Sequence, residues 1–448
     1  MIHKYQLNGH NIVIDVNSGA VHLLDEEAYE LLNNYNEEGR LTVSAAGLSV
    51  SQQEAAAEIE ALKQQDLLFS PEIYQEVLDK VEARQPVVKA LCLHVAHDCN
   101  LKCRYCFAEE GEYHGSRSMM SKEVGKAAID FLIKNSGGRR NLEVDFFGGE
   151  PLMNFELVKE VVEYGREQEA LYDKKFRFTI TTNGVLLNEE IQAYINAHMH
   201  NVVLSLDGRQ EVNDAMRKTK NGKGSYETIL PKLRQMAESR EHKNYYVRGT
   251  FTRNNLDFSK DVLHLADLGF SQVSVEPVVG PEEEDYSISR EDLPELFKEY
   301  EKLALEMLKR EKEGKGFNFF HYMIDLSGGP CVAKRLVGCG AGTEYLAVTP
   351  DGELYPCHQF TGLEGFKMGT VFEGVMNHEL REEFEGCHVF AKKDCRECWA
   401  KYYCSGGCAA NGYNMGGSIY SVYDIGCQLQ RKRIECAIMI KAQEGGNI

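Results

Sequence analysis

Cysteine is the residue type whose number and spacing point most directly to chemistry in this sequence. The chain of 448 residues has 14 cysteines, which fall into two groups. Four lie from Cys92 to Cys106, and ten lie from Cys331 to Cys436. In a chain that is not secreted, clustered cysteines more often bind metal or carry out redox chemistry than form disulfides. The two groups therefore predict two separate metal-binding regions.

The first group contains three cysteines that directly follow a candidate strand, Cys99, Cys103 and Cys106. Four thiolates ligate a 4Fe–4S cluster fully, so three leave one iron with an open position where a ligand can bind, as at catalytic metal sites. The alternatives are buried free thiols or a zinc ion. For zinc, the nearby candidates for a fourth ligand are Cys92, His94, His97 and His114. The spacing favours a cluster.

The elements that must position these cysteines alternate between strands and helices from about residue 89. Candidate strands cover 90–96, 142–147, 176–182, 202–206, 246–252 and 272–278, and helical stretches include 122–134, 155–168 and 292–312. This alternation predicts an α/β fold with a parallel sheet. We expect a partial (β/α)6 parallel barrel, in which the loops after the strands form the active face. Periodicity alone leaves a doubly wound open sheet as the alternative.

The regions before and after the barrel differ from it in composition. Residues 11–24 read as a hairpin around the turn Asn17-Ser18-Gly19, and helices follow, which predicts a small α+β domain resembling a winged helix. After about residue 314 the chain becomes rich in cysteine and glycine. We therefore predict three domains, at residues 1–80, 88–314 and 315–448.

Composition and charge exclude some classes of partner. The formal net charge of −19 argues against binding nucleic acid through its phosphates. No apolar run approaches the roughly 20 residues that cross a membrane. The first residues lack the apolar core of a secretory signal. We therefore expect a cytoplasmic protein with no nucleic-acid or membrane partner.

The first cysteine group resembles a known signature. Cys-x3-Cys-x2-Cys with Tyr105 before the last cysteine is similar to the signature of radical S-adenosylmethionine enzymes. The resemblance implies a 4Fe–4S cluster held by Cys99, Cys103 and Cys106. In that family the open iron binds the amino and carboxylate groups of S-adenosylmethionine. Cleavage of this molecule gives methionine and a 5′-deoxyadenosyl radical, which abstracts a hydrogen atom from the substrate.

Motifs after the later strands resemble the same family. Gly148-Gly149-Glu150-Pro151 follows the second strand, as the family's Gly-Gly-Glu-Pro motif does, and Asn183 follows the third. Ser205 and Arg217 match residues that contact the ribose and the carboxylate. The full set of S-adenosylmethionine contacts that the resemblance implies is Tyr105, Gly148, Gly149, Glu150, Asn183, Ser205, Arg217 and, through its backbone, Val278.

The second cysteine group resembles the seven-cysteine SPASM extension found in radical S-adenosylmethionine enzymes that act on peptides. That extension holds two auxiliary 4Fe–4S clusters, which would make three clusters in this chain. The resemblance assigns the cluster far from the active site to Cys395, Cys398, Cys404 and Cys427, and the near cluster to Cys339, Cys357 and Cys408. Cys331 is either the eighth ligand or not a ligand. In the second case the near cluster has an open iron. Cys387 and Cys436 stay unassigned and read as small buried side chains.

Two resemblances suggest the reaction. Residues 1–75 look like the domains of ribosomal-peptide maturases that bind a leader peptide as an added strand. The sequence of residues 339–359 resembles maturases of six-cysteines-in-forty-five-residues (SCIFF) peptides. We therefore expect an enzyme that joins a cysteine sulfur to a carbon of an acceptor residue in a cysteine-rich precursor peptide. Its partners would be that peptide, bound through its leader, and an electron donor such as flavodoxin or ferredoxin.

The alternative is an anaerobic sulfatase-maturating enzyme, which oxidises cysteine or serine to formylglycine. That group resembles this chain over residues 90–430. In it an aspartate follows the cysteine equivalent to Cys357 and acts as a base. Here His358 occupies that position, so the sequence departs from the pattern of the sulfatase maturases.

Overall fold

The computed structural model describes residues 1–82, 87–326 and 332–445 of the chain. The N-terminal region is a three-stranded antiparallel sheet followed by three α-helices. Its elements are β1 Ile2–Leu7, β2 His10–Asp15, β3 Val21–Leu24, α1 Glu26–Leu31, α2 Val50–Gln64 and α3 Tyr74–Glu82. The predicted hairpin is formed by β2 and β3, while β1 is a strand that the sequence pattern did not indicate.

Side chains at the turns explain why these N-terminal elements begin where they do. In the hairpin turn, Asp15 Oδ1 accepts from the backbone N–H of Asn17 at 3.1 Å and of Ser18 at 2.8 Å. Asp25 caps α1 by accepting from the N–H of Ala28 at 2.8 Å. Such local bonds satisfy backbone donors that a turn or a helix start would otherwise leave unpaired.

The central region alternates strands and helices as the sequence predicted. Its elements are β4 Ala90–His97, β5 Leu101–Cys103, β6 Ser118–Met119, α4 Lys122–Asn135, β7 Asn141–Gly148, α5 Phe155–Tyr172, β8 Lys175–Thr182, α6 Glu189–His198, β9 Asn201–Ser205, α7 Gln210–Met216, β10 Arg217–Thr219, α8 Tyr226–Ser239, β11 Tyr245–Phe251, α9 Ser259–Asp267, β12 Gln272–Pro277, α10 Leu293–Lys312 and β13 Asn318–Phe319.

The six long strands of this region lie side by side in chain order, from β4 through β7, β8, β9 and β11 to β12, and all neighbours are parallel. A doubly wound sheet reverses its strand order at a switch point. No reversal occurs among these strands, so the sheet is of the barrel type and the doubly wound alternative is wrong.

The strands bury one face against the helices and leave the other facing the inside of the curved sheet, which we call the lumen. On β8, Phe176 and Phe178 lie against Gly165 of α5, whose missing side chain makes room for the ring of Phe178. On β11, Phe251 stacks on Phe258 with ring centres 4.3 Å apart. Because side chains alternate along a strand, Thr179, Thr181 and Arg248 point into the lumen.

The C-terminal region continues the same sheet. Its elements are α11 Val332–Val337, β14 Tyr345–Val348, β15 Glu353–Tyr355, β16 Gly369–Thr370, β17 Gly374–Val375, α12 His378–Glu385, α13 Lys393–Arg396, α14 Lys401–Cys404, α15 Ala409–Gly416 and α16 Asp424–Gly445. Strand β14 pairs in parallel with β4, with Tyr345 opposite Ala90. In the described part of the chain, no helix has both the length and the apolar character that membrane crossing requires.

The N-terminal and C-terminal regions pack against each other around a short segment between two cysteines, Cys398 and Cys404. The ring of His3 stacks on Trp399 with centres 3.9 Å apart. Tyr402 is fully buried, lies edge-on to Tyr74, and its hydroxyl donates to Glu72 Oε2 at 2.6 Å. The segment that carries these cysteines is therefore also the contact surface for the N-terminal sheet and α3.

We expect Tyr402→Phe to weaken this interface, because it removes the bond to a carboxylate that lies partly buried. A hydrogen bond to a charged group contributes about 1–2 kcal/mol, which should appear as a lower free energy of unfolding in urea and faster proteolysis between residues 1 and 82. The neighbouring Tyr403→Phe is the control, because the buried Tyr403 hydroxyl has no hydrogen-bond partner among the residues that the structure describes. Equal effects of the two changes would contradict the assignment.

Candidate active site

The three cysteines of the first group lie on a loop that follows β4 and is fastened on both sides. On one side, β5 pairs with β10, which places Cys103 opposite Arg217. On the other side, the N–H groups of Gly149 and Glu150 donate to the carbonyls of Ala96 and Asp98 at 2.8 and 2.9 Å. The ribbon of β5 and β10 is a long-range pairing that the sequence pattern did not predict.

The loop and the ends of β7, β8 and β9 enclose one cavity. It is lined by Cys99, Leu101, Cys103, Tyr105, Cys106, Phe107, Ala108, Glu110, Gly111, Tyr113, Phe147, Gly148, Gly149, Glu150, Thr181, Thr182, Asn183, Ser205 and Arg217. The structure thus brings together all three cysteines of the predicted triad and seven of the eight residues that we expected to contact S-adenosylmethionine.

The three thiols lie close enough to influence one another. Burial, together with the charges of Glu150, Cys103 and Cys106, raises the pKa of Cys99 to about 12. Burial raises the pKa of Cys103 to about 11, although Arg217 opposes this shift. A bound metal reverses this balance, because it favours the thiolate outright. The buried triad therefore suits a metal cluster better than three free thiolates.

The zinc alternative finds no complete ligand set here. His94 Nδ1 and His97 Nε2 lie 3.1 Å apart and share a hydrogen bond, and His114 pairs with Glu109 at 3.1 Å. Among the residues that the structure describes, no three Cys, His, Asp or Glu side chains converge on a single ion. A zinc site needs every ligand atom about 2.0–2.3 Å from one ion, so the ligand atoms lie close together. The thiolates of a 4Fe–4S cluster bind different irons, so their sulfur atoms lie further apart.

The glycine pair serves the backbone as well as the cavity. Gly148 has φ of +121°, and a Cβ there would lie 2.3 Å from the carbonyl oxygen of Ala96. A Cβ on Gly149 would lie 2.1 Å from the carbonyl oxygen of Asp98. We expected these glycines to make room for the bound amino acid. The structure shows that they first let the end of β7 approach the cysteine loop.

Glu150 is buried at the end of β7 and joins it to the end of β8. Its Oε1 accepts from Thr182 Oγ1 at 2.7 Å, and its Oε2 accepts from the N–H of Asn183 at 2.8 Å. Burial keeps the pKa of this carboxyl above its ordinary value despite these donors. A carboxylate has about four acceptor positions, so Glu150 retains capacity for the ammonium group that we expect it to bind.

Tyr105 and Arg217 belong to a buried network with Asp207, a residue that the sequence analysis did not select. Tyr105 donates to Asp207 Oδ2 at 2.6 Å, and Arg217 Nη1 donates to Tyr105 at 2.9 Å. Within the part of the chain that the structure describes, the buried Nε of Arg217 has no hydrogen-bond partner. The one sequence signal for Asp207 is its position two residues after Ser205, the residue that ends β9. The unpartnered donor fits the carboxylate that the resemblance assigns to this arginine.

Two further expected contacts differ in outcome. Ser205 ends β9 and lines the cavity. Val278 follows β12 but is not among the lining residues, and its N–H already donates to the carbonyl of Phe251 at 2.8 Å. Asn100, which we did not predict, does reach the site, because its Oδ1 accepts from Asn183 Nδ2 at 2.7 Å.

The cysteines of the second group also gather as two sets. Cys395, Cys398, Cys404 and Cys427 line one cavity. Cys339, Cys357 and Cys408 lie close enough to interact electrostatically. Burial, together with the charges of Cys408 and Cys339, raises the pKa of Cys357 to about 12. The possible eighth ligand, Cys331, lies outside the described residues. Cys436 is buried, and the Cys387 thiol donates to the carbonyl of Ile419 at 3.3 Å.

His358 connects the near set to the first cavity. Its ring lies 5.6 Å from that of Phe107 and 5.2 Å from that of Phe147, which both line the cavity of the triad. Burial and the positive charge of Arg248 lower the pKa of His358 to about 4. At neutral pH this imidazole is therefore uncharged.

His321 lies further along the lumen in the helical turn Phe320–Tyr322. Its ring hydrogen-bonds Ser274 Oγ at 3.2 Å and Arg433 Nη1 at 3.0 Å. Burial, together with the charge of Arg433, lowers its pKa to about 3. The lumen wall thus holds its imidazoles in the neutral form.

Comparison with known proteins agrees with this geometry. Residues 93–249 match the family described as the Radical SAM superfamily. The Radical SAM cyclopropyl synthase TigE of Paramaledivibacter caminithermalis is 22% identical over 358 residues, which cover 74% of this chain and 70% of TigE. A cysteine-type anaerobic sulfatase-maturating enzyme of Clostridium novyi is 24% identical over 334 residues, which cover 70% of this chain and 86% of that enzyme.

A solved structure resembles almost the whole chain. Streptococcus suis SuiB bound to precursor peptide SuiA has a TM-score of 0.55 and 16% identity, and the match covers 94% of this chain and 97% of SuiB. At this identity the likeness concerns the fold. It extends over the N-terminal and C-terminal regions as well as the barrel.

We expect Gly149→Ala to damage the first cavity, because the added Cβ would overlap the carbonyl of Asp98 and push the cysteine loop away. Iron content after reconstitution and affinity for S-adenosylmethionine should both fall, the latter about tenfold or more. Gly138→Ala is the control, because nothing lies within 4 Å of its added Cβ. Unchanged cluster content and affinity in the Gly149 variant would contradict the packing argument.

The neutral His321 predicts a pH dependence of stability. Its folded-state pKa of about 3 lies below the value of about 6.5 expected in the unfolded chain. Its contribution is therefore complete above pH ~6.5 and is lost as the pH falls towards 3, by up to about 1.4 kcal/mol per pH unit. Urea unfolding from pH 7 to 5 should give a shallower pH slope for His321→Asn than for the wild type. The same change at the exposed His200 is the control, and an equal slope in all three proteins would refute the prediction.

Proposed function

Residues 93–249 form a radical S-adenosylmethionine domain, and from this premise we propose that the chain is a peptide maturase that makes thioethers. It joins a cysteine sulfur to a carbon of an acceptor residue within a ribosomally made, cysteine-rich precursor peptide. The observation that carries the proposal is the position of Cys357 and His358. Cys357 belongs to the near set of three thiols. The ring of His358, the next residue, lies beside Phe107 and Phe147, which line the cavity that contains the triad.

The proposed cofactors are three 4Fe–4S clusters and S-adenosylmethionine. One cluster and S-adenosylmethionine, bound at the triad, would supply the 5′-deoxyadenosyl radical that removes a hydrogen atom from the substrate. Cys99, Cys103 and Cys106 would hold that cluster. Arg217 would offer to the carboxylate its Nε–H, which has no hydrogen-bond partner among the described residues. Phe107, Phe147 and Tyr113 supply apolar lining to the cavity.

The near set of cysteines supports sulfur chemistry. With Cys331 outside the ligand set, the three thiols would leave a position at which a substrate thiolate could bind metal. Forming the thioether breaks one C–H and one S–H bond and makes one C–S bond. One hydrogen atom leaves on the radical, the thiol proton goes to solvent, and the remaining electron goes to an external one-electron carrier. Metal binding lowers the pKa of a thiol, so no separate base is needed.

The N-terminal sheet supports leader binding by strand addition. The sheet packs against α16, where the Tyr5 hydroxyl of β1 donates to the carbonyl of Glu435 at 2.9 Å. Among the described residues, β3 pairs only with β2, and Leu23 on β3 is 45% exposed. We propose that the leader pairs with the outer edge of β3. We also propose that residues 1–80, 88–314 and 315–448 act as the recognition, radical and SPASM domains.

The alternative function is sulfatase maturation, which the similarity to the Clostridium novyi enzyme favours. The aspartate base expected for that reaction is replaced by His358. With a pKa of about 4, this imidazole is a weak proton acceptor. This chemistry favours the thioether reaction over oxidation of a seryl or cysteinyl side chain.

The decisive experiment is anaerobic incubation of the reconstituted protein with S-adenosylmethionine, a reductant and a cysteine-rich precursor peptide encoded beside the gene. We expect the peptide to lose two hydrogens and one alkylatable thiol per crosslink. Changing Cys99, Cys103 and Cys106 to Ala should abolish cleavage of S-adenosylmethionine. Cys436→Ala is the control, because Cys436 is buried outside both cysteine sets.

Each outcome separates the candidates. An aldehyde that reacts with a hydrazide probe would favour the sulfatase-maturase reaction. A peptide of unchanged mass would reject the substrate assignment while leaving the radical chemistry intact. Cleavage of S-adenosylmethionine that survives in the triple variant would reject the radical assignment itself.

A further inference from the structure

A charged group inside the lumen has no role in the chemistry described above. Arg248 on β11 and Glu276 on β12 point into the lumen and form an ion pair at 3.2 Å between Nη2 and Oε2. Their side chains are 50% and 37% exposed, although they lie on adjacent interior strands of the sheet. An arginine carries five N–H donors, so the single bond to Glu276 leaves most of the guanidinium open to the lumen.

The position of Arg248 is between the two proposed reaction partners. In the strand ladder it lies level with Ser205, which lines the cavity of the triad. Its charge also reaches His358, the residue that follows Cys357 of the near set. The guanidinium therefore lies in the part of the lumen that adjoins both the cavity of the triad and the near set.

The local charges do not balance. Burial alone would raise the pKa of Glu276, but the guanidinium groups of Arg248 and Arg433 outweigh it and leave this pKa below its ordinary value. Glu276 is therefore ionised and shared by two guanidinium groups, while His321 is neutral at pH 7 because its pKa is about 3. The carboxyl nearest along the strands, Asp207, already accepts from Tyr105 and from the N–H of Thr250. Arg248 and Arg433 thus share the single carboxylate of Glu276, which leaves one positive charge among these three groups.

We propose that Arg248 binds a carboxylate of the substrate peptide, the side chain of an aspartate or glutamate at or next to the residue whose carbon is attacked. An arginine fork matches a carboxylate in shape and charge. Glu276 on β12 accepts from Arg248 Nη2 and therefore competes with the substrate carboxylate for the guanidinium. The inference rests on the proposed function and narrows it from any acceptor residue to a site that contains an acidic side chain.

The test compares two probe peptides that carry the same leader and one core cysteine and differ only in an Asp or an Asn near that cysteine. Binding to the reconstituted enzyme is measured by fluorescence anisotropy with S-adenosylmethionine and without reductant. We expect the wild type to prefer the Asp peptide about tenfold, the size of one charge-assisted hydrogen bond. Arg248→Gln should remove this preference.

Two further variants separate recognition from damage to the fold. Arg177→Gln changes an exposed arginine at the opposite end of the lumen and should keep the preference. Glu276→Gln removes the competing carboxylate and should increase the preference for the Asp peptide, a gain that misfolding cannot produce. A preference that persists in Arg248→Gln, a wild type without preference, or a Glu276 variant that loses it would overturn the proposal.

The result is distinguishable from failure of the proposed function. If the Arg248-dependent preference is present but reductant leaves the peptide mass unchanged, the subsite stands and the thioether assignment fails. If both peptides are crosslinked equally by the wild type and by Arg248→Gln, the maturase assignment stands and the carboxylate subsite is rejected.

Discussion

The candidate active site depends on the close approach of two backbone segments, the end of β7 and the loop that follows β4. The carbonyls of Ala96 and Asp98 accept from the N–H groups of Gly149 and Glu150 at 2.8 and 2.9 Å. This approach is possible only because neither position 148 nor position 149 carries a Cβ. A buried loop must satisfy its backbone donors and acceptors. The glycine pair therefore fixes the cysteine loop before any cofactor binds.

The charged residues around this loop stabilise one another across the ends of several strands. Glu150 accepts from residues at the end of β8, and Asp207 at the end of β9 accepts from Tyr105 on the cysteine loop. Asp207 also accepts from the N–H of Thr250 on β11 at 3.1 Å. Buried charges are costly unless they are paired and hydrogen-bonded. These bonds consequently couple the geometry of the cavity to the correct assembly of five neighbouring strands.

The three regions of the chain pack against one another through specific contacts. Strand β14 of the C-terminal region adds to the barrel beside β4. The segment between Cys398 and Cys404 contributes Trp399 and Tyr402 to the contact with the N-terminal region. This segment of the second cysteine region therefore contacts the N-terminal region, where we propose that the leader binds.

The sequence by itself determined the elements and the local motifs. The sequence placed all six long strands within about one residue of their observed starts. The strand predicted at 176–182 is observed at Lys175–Thr182, where buried and more exposed side chains alternate because one face packs on the helices. The cysteine spacings and the residues that follow each strand likewise identified most of the first cavity. These features are local along the chain, so a single sequence can reveal them.

Only the tertiary structure decided the pairings between distant residues. The ribbon that sets Cys103 opposite Arg217, the bonds from Tyr105 to Asp207 and from Asn183 to Asn100, and the pair of Arg248 with Glu276 all depend on strand register and loop path. Val278 shows the converse, because a matching position in the sequence did not bring it into the cavity. Side-chain periodicity encodes which face a residue occupies, whereas the partner it meets there depends on how separate strands align in space.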